Sequence, residues 1–203
     1  MRSHTNRNSA VSPVIGILLM LVITVIIAAV ISGFAGSFVQ GQHKVPQAQI
    51  AGKLSLQDGF FIQHNGGDPI PTNDVVITIR SSRLFGPGAE QMSVQVVDHL
   101  NITTNNKSWL NPNGTIGVTS FNGGDIAVIK PADCDCDKLQ PDIAPTDFTT
   151  DYDAATITYS GSDPTLWALC FKNPDNVGKR FIMDVSDRAT GKIISTANVP
   201  IVG

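Results

Sequence analysis

Three groups of residues have the types and spacings that bear on chemistry. Asn101-Ile102-Thr103, Asn106-Lys107-Ser108 and Asn113-Gly114-Thr115 are acceptor sequences for glycan attachment, crowded into one turn-rich stretch. Cys134, Cys136 and Cys170 are the cysteines. In an oxidising compartment one of the first two pairs with Cys170, because cysteines two apart on a strand bridge each other poorly. Which one pairs is open, and free thiols or a metal are the alternatives. A zinc site is the weaker of these, since no histidine stands at ligand spacing. Asp133, Asp135 and Asp137 alternate like the start of a calcium loop, but Lys138 stands where glycine is needed and no glutamate closes the loop. With Asp142, Asp147, Asp151 and Asp153 they read as a solvated acidic segment. No metal or cofactor is expected.

Catalytic signals are lacking. The sequence contains no G-x-S-x-G, H-E-x-x-H or P-loop, and His4, His43, His64 and His99 are far apart. His64 beside Asn65-Gly66-Gly67-Asp68 reads as a turn. The expectation is a protein that is not an enzyme.

The elements that carry these groups are strands. Glycine (18) and proline (12) are plentiful, charged residues make up only 15% of the chain, and the acids are aspartates apart from Glu90. Aspartate favours turns where glutamate favours helices. β-branched or alternating segments recur at Ile50–Leu56, Phe60–His64, Val75–Arg80, Met92–Leu100, Thr115–Phe121, Asp125–Lys130, Ala155–Tyr159, Leu166–Lys172, Arg180–Ser186 and Lys192–Val202. Such spacing predicts an antiparallel sandwich or barrel, of which the immunoglobulin-like sandwich is the favoured form, with no second helix. All acidic residues lie from Asp58 onward, so this part is net acidic. No basic run gives a reason to expect nucleic acid as a partner.

Before this domain the pattern is different. No charged residue occurs between Arg7 and Lys44, and Pro13–Val39 is almost wholly apolar. As a helix it is longer than the roughly 30 Å hydrocarbon core requires, and too long for the apolar region of an ordinary secretory signal. Arg2, His4 and Arg7 put the N-terminus on the cytoplasmic side by the positive-inside rule. Ala29, Gly33, Ser37 and Gly41 recur every four residues, a spacing that lets helix backbones approach closely. Pro46 ends the helical pattern within a hinge, His43–Gln49.

The string Arg7-Asn8-Ser9-Ala10-Val11-Ser12-Pro13-Val14-Ile15-Gly16, followed by ILLMLVITVIIAAVI, closely resembles the N-terminus of archaeal type IV pilin-like proteins. His64–Ile70 and the strand after it are similar to the head domain of that family. The resemblance implies a class III signal, cut between Ser9 and Ala10 by the prepilin peptidase, so that the apolar helix is retained. Val14 occupies the fifth mature position, where bacterial type IV pilins have glutamate, which places the resemblance with the archaeal group.

The expectation is thus an α+β chain: leader 1–9, assembly helix 10–42, hinge 43–49 and extracellular β-sandwich head 50–203. By resemblance it polymerises with copies of itself, meets the prepilin peptidase and a membrane assembly machinery, rests in the membrane before assembly, and serves surface adhesion. The alternative is a membrane-anchored extracellular binding or sensor domain that does not polymerise.

Overall fold

The computed structural model describes residues 12–39, 44–92, 94–146 and 157–203. The chain separates into two compact units, Met1–Lys44 and Val45–Gly203.

Among its described residues the first unit has one helix, α1 (Ser12–Val39). Its 28 residues give a length of about 42 Å. Pro13 stands in the first turn, where its missing N–H leaves no hydrogen bond unmade.

The second unit is a half-barrel, sandwich-like head with eleven strands among its described residues: β1 (Ala48–Ser55), β2 (Gly59–Gly67), β3 (Ile70–Pro71), β4 (Val75–Arg80), β5 (Val94–Val96), β6 (Ile102–Thr104), β7 (Lys107–Ser108), β8 (Ser120–Phe121), β9 (Ile126–Ile129), β10 (Arg180–Asp187) and β11 (Ile193–Val202). Nine of them form one sheet in the order β5-β4-β10-β11-β1-β2-β9-β6-β7, and β3 pairs with β8. Every pairing is antiparallel except β1 with β11, where Leu54 lies against Ile201. The class is α+β, as expected.

Strict alternation explains why these strands curve around one core. In β4 Val75, Ile77 and Ile79 point inward, and in β10 Phe181, Met183 and Val185 do the same. They share a single cluster with Ile102, Ala127 and Ile129 from the other end of the sheet. Phe181 is its hub, stacked on Phe171 at 4.2 Å and edge-on to Phe60 at 5.6 Å. Each such buried side chain contributes about 1.5–3 kcal/mol. Gly59, at φ +99°, opens β2 where a Cβ would lie 2.2 Å from the Ile129 carbonyl oxygen, so only glycine fits.

Several expected strands are shorter or absent. Met92–Leu100 pairs only over Val94–Val96, because Asp98 caps a 3-10 turn at His99–Asn101. Within Thr115–Phe121 only the last two residues form a strand, since Asn113 and Thr115 close a local turn first, and Ile116 makes an isolated antiparallel bridge to Leu110. Leu166–Lys172 is no strand: Pro164 starts a one-turn helix, α4 (Pro164–Trp167), followed by turns. Two further one-turn helices, α2 (Ala89–Met92) and α3 (Cys136–Leu139), were not expected either. Within Ala155–Tyr159 the first two residues lie outside the described ones, and the rest form no strand.

Candidate functional site

The helix is apolar on every side, and its described side chains, Val14 to Phe34, are exposed. Ile17 (69%) and Met20 (70%) are among the large apolar side chains so displayed. No acidic residue stands in its first turn and no basic residue in its last. The Thr24 hydroxyl donates to the Leu21 carbonyl oxygen at 2.8 Å, so this polar group needs no outside partner. A helix apolar all round is stable only in a membrane or among other apolar helices. Ala29 and Gly33 are exposed, and a Cβ added at Gly33 would meet nothing within 4 Å. Packing inside the chain therefore does not account for that glycine. Ser37 is described only as part of the helix backbone, while Gly41, Ser9 and Ala10 lie outside the described residues.

In the head, the sequons gather at one edge of the sheet. Asn106 is exposed at the tip of the β6–β7 hairpin, whose two turn residues, Asn105 and Asn106, have φ of 52° and 62°. Both values are those of a type I′ turn, which asparagine tolerates. Asn113 is exposed as well. Its Oδ1 accepts from the Thr115 backbone N–H at 3.1 Å and from the Thr115 hydroxyl at 2.6 Å. Asn101 is only half exposed, and the hydroxyl of its Thr103 donates to the Val128 carbonyl oxygen at 3.0 Å.

The cysteines divide. Cys136 is bonded to Cys170 across 34 residues, with Cα atoms 5.6 Å apart. Buried Gln140 fastens the same junction, accepting from the Phe171 N–H at 2.7 Å and donating to the Leu169 carbonyl oxygen at 3.1 Å. Cys134 is a buried free thiol. Burial pushes its pKa up to about 12, so it stays protonated and inert at neutral pH. The fully buried Lys172 ammonium donates to the Leu56 carbonyl oxygen, and burial lowers its pKa.

The alternating aspartates do not converge. Asp133 takes an ion pair from Lys138 at 3.3 Å, Asp135 is buried at the start of α3, and Asp137 is exposed. Among the described residues no group of three or more His, Cys, Asp or Glu is placed to hold a metal. His64 is buried and structural: its Nδ1 accepts from the Gly66 N–H at 3.2 Å, and its Nε2 lies 3.1 Å from the Asp68 carbonyl oxygen.

One cleft of about 250 Å³ opens beside the sequon edge, lined in part by Asn73, His99, Trp109, Leu110, Ile116 and Arg188. His99 meets the Trp109 ring edge-on at 5.5 Å. Its pKa lies below the usual histidine value, chiefly through burial and then through the Arg188 charge, with Asp98 opposing.

Residues 9–50 match the archaeal type IV pilin N-terminal family. The N-terminal stretch is similar to that family. A 75-residue stretch is also 43% identical to an uncharacterized protein of Archaeoglobus fulgidus, covering 34% of this chain and 50% of that relative. The chain thus spans about half the length of the curated relative it matches.

The pilin-like stretch takes in all of α1 and ends within β1. The helix-packing residues that sequence singled out therefore fall inside it, whereas the sequons and cysteines belong to the head. Sequence reading missed the cleft. His99, Asn73 and Arg188 sit in three separate turns that only the sheet order brings together, and no local pattern marks them. It also missed Gln140 and Lys172, whose roles rest on burial that a polar residue type does not announce.

Proposed function

We propose that the chain is a structural subunit of an archaeal type IV pilus-like extracellular filament. In this reading the prepilin peptidase cuts between Ser9 and Ala10, and the retained helix, residues 10–42, waits in the membrane with its N-terminus cytoplasmic. It then leaves the lipid for a bundle of identical helices, with the head, residues 50–203, facing outward beyond a hinge at 43–49. The filament serves attachment to surfaces.

The observation that carries the reading is α1 itself, apolar on all faces and exposed from Val14 to Phe34. Its Leu, Ile, Val and Phe side chains between Val14 and Phe34 favour membrane insertion by roughly 0.3–0.6 kcal/mol each. Leaving lipid is therefore feasible only where other apolar surfaces replace it. Ala29, Gly33, Ser37 and Gly41 supply a narrow row along which like helices can approach. This favours a polymer over a lone anchor, which has no use for such a row.

The exposed sequon edge suits a head that faces outward, with glycans at Asn106 and Asn113 and less room at Asn101. Shearing the surface structures from producing cells and analysing the fibres by mass spectrometry tests the proposal. The expected result is fibres in which this chain is a major component, its N-terminal peptide beginning at Ala10. Fibres lacking the chain, with an intact Met1 on a membrane-bound monomer, would support the non-polymerising anchor instead.

A further inference from the structure

The turns at Asn73, His99 and Arg188 contribute to one cleft of the head. We infer that it is a binding site for one acidic sugar residue, whose carboxylate lies between Arg188 and His99 while its ring covers Leu110 and Ile116. The cleft's polar lining includes the Arg188 guanidinium, the His99 imidazole and the exposed Asn73 carboxamide, and among the described residues no acidic one lines the cleft. One Arg188 Nη donates to the Val75 carbonyl oxygen at 3.3 Å, which holds the guanidinium in place with further N–H groups to offer. Such a planar fork suits a carboxylate.

Trp109, Leu110 and Ile116 supply apolar wall beside buried Thr72, and Ile116 is 44% exposed. A bare anion such as acetate leaves that wall wet, and a neutral sugar leaves the arginine without a counter-charge. The volume, about 250 Å³, is below the roughly 300–1,000 Å³ of sites for drug-sized ligands and points to a single ring.

Two sources could supply the sugar. The chain's own sequons flank the cleft: Asn101 lies two residues after His99, one sequon immediately precedes Trp109, and another immediately precedes Ile116. The other source is an acidic polysaccharide from outside.

The test is calorimetry on the full chain in detergent, made in a host that does not N-glycosylate. Saturable binding of glucuronate is expected, with glucose and acetate each at least tenfold weaker. Arg188→Gln should weaken glucuronate binding tenfold or more. Asn73→Asp puts a carboxylate in the wall at an exposed position; it should weaken binding similarly while leaving the melting temperature unchanged. Absence of glucuronate binding, equal binding of glucose, or undiminished binding by a normally melting Asn73→Asp variant would overturn the inference. Natively glycosylated protein identifies the source. Binding blocked until the glycans are removed means that the chain's own glycan fills the cleft, and binding unaffected by glycans means an outside polysaccharide; either outcome supports the site. None of these results depends on whether the chain forms filaments.

Discussion

The helix and the head solve opposite problems. In the head the large apolar side chains of alternating strands meet in one core, and among the described residues no buried side-chain nitrogen or oxygen lacks a hydrogen bond. In α1 the large side chains from Val14 to Phe34 stay exposed. The described part of the head therefore buries a core of its own, while the helix from Val14 to Phe34 needs other apolar surroundings. Substitutions should separate the two units cleanly, each affecting one and sparing the other.

The largest effect is expected from Ile23→Asp, near the middle of α1. A carboxylate at the centre of a membrane helix costs about 2.5–3.5 kcal/mol, on the order of a hundredfold in insertion. Membrane fractionation should show loss of insertion and electron microscopy loss of fibres, with the melting temperature of the head unchanged. Replacing both Cys136 and Cys170 by serine should do the reverse. Loss of the crosslink costs about 2–4 kcal/mol. Calorimetry should then show the head melting roughly 4–16 °C lower, while membrane insertion stays intact.

Gly33→Leu gives a sharper contrast, because its sign depends on the setting. In an isolated helix, leucine should raise helicity by somewhat under 1 kcal/mol over glycine. Between packed helices the added side chain blocks close approach, so filaments should dissociate at lower temperature or detergent concentration. Stability gained in both settings would mean that this row is not an interface.

The smallest effect is the pH response of His99. Its folded pKa lies below the unfolded value of about 6.5, so the unfolded chain takes up the proton first on acidification. Head stability should be constant above pH ~6.5 and fall as pH drops below it toward the folded value. His99→Gln should flatten that part of a melting-temperature profile.

Much of this division was legible in the sequence, for physical reasons. The charge-free run from Pro13 to Val39 can only be a helix that needs apolar surroundings, and VVITIR at Val75–Arg80 alternates so strictly that its strand could be placed to the residue. What escaped depended on partners distant in the chain. Ile102–Thr104 and Lys107–Ser108 are too short to show a period, and they pair because two asparagines form a tight turn between them. Leu166–Lys172 looked β-like by composition, but Pro164 and the bond from Cys170 to Cys136 impose turns. The acidic wall that calcium would require was suggested by spacing and is not assembled among the described residues, because Lys138 neutralises Asp133 and Asp135 turns inward.

The central claim is that the exposed apolar helix becomes the core of a polymer. Cryo-electron microscopy of fibres sheared from the surface of producing cells tests it most directly. The account predicts a central bundle of α1 helices, with Ala29 and Gly33 at helix–helix contacts and the β-rich heads on the outside. Fibres held together by their heads, with α1 outside the core, would contradict it.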